Sequence, residues 1–308
     1  RHSSLKKHCQ LREPARFFEE TRFTEMTFLW PILFIAFLWW FATGVIVVAY
    51  GRARWLTHVW FGAATVTAVL AVGGVFASRA LAAPSATYFA LGCGILLWGW
   101  QVASYYLGYI TGPKSAALQD EWSKTRFWRR FTYALRASLH HELFALLGAL
   151  LLVTLTWGQP NKWALWIYLV LWLMHSCAKL NVFFGVRNFR LDFLPDHMHH
   201  LNDVLGKRES NAFFPFSILI PTCVALTFVY SGIQPTAAAG ETVGFLALAT
   251  MIGLGVFEQW LLVLPVPLAL WGWGLRPLAQ AAEKQPSPSN HDGALSSVSN
   301  RMLTESGR

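Results

Sequence analysis

Five polar side chains lie inside otherwise apolar stretches of this sequence, and they are the residues best placed to do chemistry. They are Gln101, Glu142, Lys179, Asn181 and Glu258. An ionisable group in lipid is costly unless it is paired, so such groups usually mark a functional site. We therefore expect the five to form one intramembrane polar site, and we assign no catalytic role to any of them.

The signs of three charges suggest how this site is neutralised. A Lys179 ammonium placed between Glu142 and Glu258 would compensate both carboxylates. In the alternative, Lys179 extends to the lipid headgroups and Glu142 lies at the water interface. The sequence alone leaves both arrangements open.

Two histidines, His141 and His197, are candidate ligands for a metal or a pigment. His141 precedes Glu142 as in the zinc-protease pattern HExxH, but Ala145 occupies the second histidine position of that pattern, so no such zinc site is predicted. The magnesium of a chlorophyll-type pigment needs only one imidazole. For His197 the alternative is an ordinary surface histidine.

Seven long apolar stretches must position these residues. About 20 residues of α-helix cross the hydrocarbon core. The core contains no water to bond the backbone N–H and C=O groups, which must therefore pair with one another, so we expect each stretch to be a transmembrane helix. The predicted spans are Phe28–Tyr50, Val59–Ala77, Thr87–Ile110, Leu139–Trp157, Trp163–Val186, Phe213–Ile233 and Val243–Leu264. The predicted class is an all-α polytopic integral membrane protein, since a β-barrel would show short alternating segments instead.

Loop charges predict the orientation of the spans. The loops at 51–58, 111–138 and 187–212 and the C-terminal side hold nearly all loop arginines and lysines, whereas the other side has only Arg79 and Lys162. Positive loops stay cytoplasmic, so the N-terminus is expected outside and the C-terminus inside. The net charge of +9 is explained by this bias, and no basic helix or aromatic platform predicts nucleic-acid binding.

The spans are flanked by polar segments. Residues 1–25 form a basic extension for which Met26 is the expected native start, 26–276 the seven-helix domain, and 277–308 a polar tail with too few apolar residues to fold alone. Within the loop after the fifth span, Leu194, Met198, Leu201 and Leu205 recur at helical spacing. This pattern predicts a short helix on the cytoplasmic surface.

Other membrane classes fit less well. A retinal protein needs a lysine in its last helix, and the seventh span has none. Transporters often have interrupted helices in matched halves, for which the glycines of the second and third spans are weak support. Gly73, Gly74, Gly92 and Gly94 instead predict close helix–helix approach.

Motifs distributed from Met26 to Trp273 resemble those of one family. The matching strings are Thr111-Gly112-Pro113, His141-Glu142-Leu143, Leu155-Thr156-Trp157-Gly158, Ala178-Lys179-Leu180-Asn181, Phe184-Gly185-Val186, Phe193-Leu194-Pro195 and Leu262-Val263-Leu264-Pro265-Val266-Pro267. In this order they resemble the PuhE-type photosynthetic-complex assembly proteins of purple phototrophic bacteria. His175 and Gln259 depart from that pattern, where arginine and histidine are common, and both departures weaken a metal site at those positions.

The resemblance implies a role in assembling the photosynthetic reaction centre and its light-harvesting ring. The implied partners are reaction-centre or light-harvesting subunits, membrane lipid and a tetrapyrrole, with bacteriochlorophyll bound transiently at most. The implied location is the bacterial inner membrane or the intracytoplasmic photosynthetic membrane. The alternatives are a membrane enzyme using Glu142, Lys179 and Glu258 as acid–base groups, and a transporter of a bacteriochlorophyll precursor.

Overall fold

A computed structural model describes residues 28–45, 54–111, 127–188, 205–206 and 208–264. Within these ranges every regular element is an α-helix. The helices are α1 (Phe28–Val45), α2 (Arg54–Ser78), α3 (Pro84–Tyr106), α4 (Phe127–Ala137), α5 (Leu139–Thr156), α6 (Trp163–Phe184), α7 (Phe214–Gly232) and α8 (Ala239–Val263). The all-α prediction is confirmed.

Seven of these helices, all but α4, are long and apolar enough to cross a membrane. The predicted multi-pass architecture is therefore confirmed, and the starts of three spans, those of α2, α3 and α8, move outwards. Helix α3 begins at Pro84 because proline is well tolerated in a first helical turn. Helix α8 begins at Ala239 because Glu241 accepts a hydrogen bond from the Ala238 amide (3.0 Å), which places a charged residue favourably in the first turn.

Helix α4 lies in a segment that we expected to be a cytoplasmic loop. Its sequence FWRRFTYALRA contains three arginines and no long apolar run, so it does not resemble a span. The aromatic side chains of Phe127 and Phe131 are four residues apart and pack on Phe183 at the end of α6, with ring centroids 5.8 and 5.7 Å away. The helix exists because this face has a partner to pack against.

Helices α3, α6 and α8 contact one another at the centre of the bundle. Helices α2 and α5 pack on one side of this trio, and α7 forms a hairpin with α8. One core cluster joins α2, α3, α5 and α6 around Val75, Leu152 and Tyr168. A second joins α1, α3, α6 and α8 around Ile35 and Leu248.

Two of the four glycines singled out from the sequence permit close helix contacts. A Cβ added to Gly94 would lie 2.5 Å from the Ala164 carbonyl oxygen on α6, and one on Gly74 would lie 2.6 Å from Cys93 Sγ on α3. The prediction is wrong for Gly73 and Gly92, which have open space on the corresponding side. Helical periodicity explains the split, because neighbouring glycines face different directions.

The seven long helices alternate in direction. His58 and Phe61 near the start of α2 contact Tyr109 just after the end of α3, and Trp39 in the second half of α1 bonds Glu258 near the end of α8. At the other end of the bundle, the Asn161 side chain donates to the Ser78 and Ala86 carbonyls. We define the site end as the end of the bundle at which helices α3, α6 and α8 terminate.

Several expectations lie outside the described residues. These are the basic extension 1–25, the tail 277–308, most of the surface helix at 194–205, and His197. They stay predictions, as does the inside or outside orientation of the two ends.

Candidate functional site

An ion pair between α5 and α6 is the centre of the candidate site. Lys179 Nζ lies 2.7 Å from Glu142 Oε1, and Trp172 Nε1 donates to Glu142 Oε2 at 2.9 Å. About a quarter of each charged side chain is exposed, 26% for Lys179 and 24% for Glu142. The carboxylate thus has a partner for each oxygen, so both charges are compensated within the bundle.

Lys179 therefore has one of the two carboxylate partners that we expected. Glu258 Oε1 instead accepts a hydrogen bond from Trp39 Nε1 on α1 at 3.0 Å. Among the described residues, no ion pair joins Glu258 to Lys179. The arrangement in which Lys179 bridges Glu142 and Glu258 is therefore wrong for Glu258, because the Trp39 indole on α1 bonds that carboxylate instead.

Aromatic side chains surround the ammonium and the neighbouring histidine. Lys179 Nζ lies 4.8 Å from the centroid of the Tyr105 ring, a distance suited to cation–π attraction. The same ring lies 4.5 Å from the His141 ring. The Tyr105 side chain, from the last turn of α3, thus connects the ion pair to the buried histidine.

His141 and the half-buried His175 lie together beside this ion pair. Their ring centroids are 5.7 Å apart, and Trp98 lies against both rings at 6.1 and 5.6 Å. His141 is fully buried, and neither of its ring nitrogens makes a hydrogen bond of normal geometry with a described residue. His175 Nε2 is likewise without a partner among the described residues. Such atoms usually meet water or a ligand, so this pair is the most chemically notable feature of the site.

Gln101 lies one layer deeper and attaches α3 to α5. Its Nε2 donates to the Phe144 carbonyl at 2.7 Å, and Tyr168 OH from α6 donates to the Ala145 carbonyl at 3.0 Å. Gly148 makes room for this contact, because a Cβ there would lie 2.5 Å from the Tyr168 hydroxyl. The two bonds fix the depth of α5 relative to its neighbours.

Asn181 belongs to a separate polar cluster on the α8 side of α6. Its Nδ2 donates to Ser217 Oγ at 2.7 Å and to Gln259 Oε1 at 2.8 Å. Asn211 also donates to the Asn181 and Gly185 carbonyls (3.3 and 3.0 Å). These bonds join α6, α7 and α8, which indicates that Asn181 holds the bundle together.

The five predicted residues therefore share one end of the bundle but form three clusters. The first contains Glu142 and Lys179 with Gln101 nearby, the second centres on Asn181, and the third is the Glu258–Trp39 pair. In the part of the chain that the structure describes, no group of three or more His, Cys, Asp or Glu side chains could hold a metal ion. The arrangement can hold a charge pair, orient a polar group and exchange protons near His141.

The sequence contained a signal for the residues that we missed. Tyr168, Trp172, His175 and Lys179 are spaced by four, three and four residues, so they lie on one face of α6. Listing the polar and aromatic residues that share this face would have identified Trp172 and His175. Trp39 and Ser217 carried no comparable signal, since tryptophan and serine are common in membrane helices for other reasons.

Comparisons with known proteins place the chain in a family. Residues 26–282 match the family described as "Protein of unknown function (DUF3623)". A protein of Rhodobacter capsulatus, named "Uncharacterized 30.4 kDa protein in puhA 5'region", is 30% identical over 266 residues, which cover 82% of this chain and 92% of that protein. No solved structure matches the chain significantly. The chain belongs to the DUF3623 family.

Proposed function

We propose that this protein assists assembly of a photosynthetic reaction centre–light-harvesting complex, and that it does so by binding. The observation that carries the proposal is the Rhodobacter capsulatus relative, whose name places it in the 5' region of puhA, a photosynthesis gene region. The motif resemblance to PuhE-type assembly proteins points the same way. We expect the protein to act in the inner or the intracytoplasmic photosynthetic membrane, where such complexes are built.

Exposed apolar helix faces support a binding role. Helix α1 exposes Trp30 (54%), Phe37 (57%) and Phe41 (53%), and the Phe37 and Phe41 rings stack with centroids 5.9 Å apart. Aromatic surfaces of this kind suit flat pigments and apolar client helices as well as lipid tails. We propose that α1 offers a nascent subunit or a bacteriochlorophyll its first contact.

The polar clusters have a supporting role in this proposal. His141 is enclosed by Tyr105, Trp98 and His175 and is fully buried. Ligation of a tetrapyrrole by His141 would therefore require these rings to separate. We propose that the pigment or subunit is held on the outer faces, and that the ion pair of Glu142 and Lys179 keeps the bundle in register beneath it.

One observation favours a second candidate, a membrane enzyme acting on a bacteriochlorophyll precursor. His141 is buried and His175 is half-buried, both have buried ring nitrogens that lack described partners, and they lie beside Glu142 and Lys179. Buried titratable groups held close together are typical of acid–base sites. An enzyme would restore complex assembly at trace abundance, whereas a binding factor would be needed in an amount close to that of its client.

Titrated expression distinguishes the two. In a strain that lacks the gene, the protein is supplied from an inducible promoter, and its abundance is compared with the yield of assembled core complex during the onset of phototrophic growth. The proposal expects the initial assembly rate to rise in proportion to the protein over a wide range. Full restoration at trace abundance would contradict binding and favour turnover.

A further inference from the structure

Helix α4 presents two faces with different surroundings. Its inner face packs on the site end of the bundle through Phe127 and Phe131, which contact Phe183, while Tyr133 and Ala137 pack with Tyr105. The helix is therefore held against the ends of α3 and α6. It continues into α5 after the single residue Ser138.

The outer face of α4 carries two kinds of side chain. Trp128 and Leu135 are 69% and 47% exposed, and they are seven residues apart on the helix. Arg129 and Arg136 are also exposed and have the same spacing. Because seven residues are close to two helical turns, an apolar row lies beside a row of guanidinium groups, separated by about 100° around the axis. We call this surface, with Thr132 between the rows, the α4 outer face.

The charge on this face is uncompensated within the described part of the protein. Helix α4 contains three arginines and no acidic residue. Neither Arg129 nor Arg136 forms an ion pair with any residue that the structure describes. Among the described acidic residues of the site end, Glu142 pairs with Lys179 and Glu209 with Arg187.

We propose that the α4 outer face binds the headgroups of anionic phospholipids. Arg129 and Arg136 would donate to lipid phosphates in the planar geometry that guanidinium groups favour. Trp128 and Leu135 would enter the boundary between headgroups and acyl chains, where tryptophan is enriched in membrane proteins. The membrane is the occupant that the position favours, because the helix adjoins the first turn of a transmembrane helix and presents apolar and cationic rows together.

The test compares lipid selectivity of the reconstituted full-length protein. Spin-labelled phosphatidylglycerol and spin-labelled phosphatidylcholine are added separately to proteoliposomes, and the motionally restricted fraction gives their relative association constant. The wild-type protein is expected to prefer phosphatidylglycerol. In the R129Q/R136Q variant, the relative association constant for phosphatidylglycerol is expected to fall at least about fivefold, which is the contribution of one basic side chain at an anionic surface.

The R54Q/R208Q variant is the matched control. It removes two exposed arginines from the same end of the bundle and gives the same change in net charge, but it leaves α4 intact. It is expected to keep the wild-type preference. An equal loss in this control would overturn the proposal, because the preference would then reflect net charge alone.

Two further measurements separate the remaining explanations. Excess inorganic phosphate should leave the preference for phosphatidylglycerol unchanged. Loss of that preference in the presence of phosphate would show that the face binds free phosphate instead. A nitroxide attached at Thr132→Cys, in a background without other cysteines, should report a depth between headgroups and acyl chains. A nitroxide fully accessible to aqueous relaxants, together with no lipid preference, would contradict the proposal and point to an acidic protein partner instead.

Discussion

At the scale of single residues, the pair of Lys179 and Glu142 carries most of the argument about the site. An isolated charge in the bundle would be expensive, and the structure compensates it with an opposite charge, the Trp172 indole and the Tyr105 ring. The pair is partly exposed, so its contribution lies between that of a surface pair and that of a fully buried one.

Replacing Lys179 by Met tests that contribution. The K179M variant leaves the Glu142 carboxylate with only the Trp172 bond, so we expect a loss of about 1–3 kcal/mol in the free energy of unfolding. Thermal denaturation in detergent measures the corresponding fall in melting temperature. The E142Q/K179M double variant should be less destabilised than the sum of its single variants, because no charge is left unpaired.

The double-mutant cycle also shows what would contradict this account. Additive losses from E142Q and K179M would mean that the two side chains do not interact in the folded protein. Trp172→Phe is a useful control, since it removes one hydrogen bond to Glu142 and keeps an aromatic ring in place. Its loss should be smaller than that of K179M.

The sequence predicted which polar residues lie at one end of the bundle, because depth follows directly from position along each span. It could not predict how they divide into clusters. The partner of Glu258 is Trp39, 219 residues away in the chain, and the partner of Asn181 is Gln259. Such choices depend on helix rotation, which a nearly uniform apolar sequence barely specifies.

At the scale of helices, small residues decide how closely α3 and α6 approach. Gly94→Ala would place its Cβ 2.4 Å from Ile167 Cγ2 and 2.5 Å from the Ala164 carbonyl oxygen. The Ile167 side chain can change its rotamer, but the Ala164 carbonyl belongs to the backbone and cannot. We therefore expect a loss of about 1–3 kcal/mol in the free energy of unfolding. Thermal denaturation of the purified variant in detergent gives the measurement.

Gly92→Ala is the matched control on the same helix. Nothing lies within 4 Å of the added Cβ, and alanine is the better helix former, so stability should be unchanged or slightly higher. Equal destabilisation by G92A and G94A would show that the α3–α6 contact is not as close as described.

Helices of different character were predictable to different degrees. The seven spans could be located because about 20 consecutive apolar residues have few alternatives to a membrane helix. Helix α4 was missed because its 11 residues include three arginines, which we interpreted as loop charge. Its aromatic and apolar residues Phe127, Phe131 and Ala134 have helical spacing, but eleven residues are too few to be decisive without the partner surface on α6.

At the scale of the whole molecule, the alternating helices place the described arginines Arg54, Arg129 and Arg208 on one side of the bundle, at the site end. The charge bias predicts that this side is cytoplasmic. Lys162→Cys, exposed at the opposite end, should therefore react with a membrane-impermeant maleimide added to spheroplasts. Ser210→Cys, exposed near the site end, should react only after the membrane is permeabilised.

Both variants need a background in which the native cysteines are replaced, and each serves as the control for the other. The reverse labelling pattern would place the site end outside. It would also place the α4 outer face at the outer leaflet. Mass spectrometry of the labelled protein confirms that the introduced cysteine has reacted.

The central claim, a role in assembling a photosynthetic complex, is tested most directly by the near-infrared absorption spectrum of membranes from a strain that lacks the gene, grown phototrophically. Our account predicts that the bands of the reaction centre and core light-harvesting complex fall, that other membrane proteins persist, and that a plasmid copy restores the bands. An unchanged spectrum would contradict the assembly role, and accumulation of a pigment intermediate would favour the membrane enzyme.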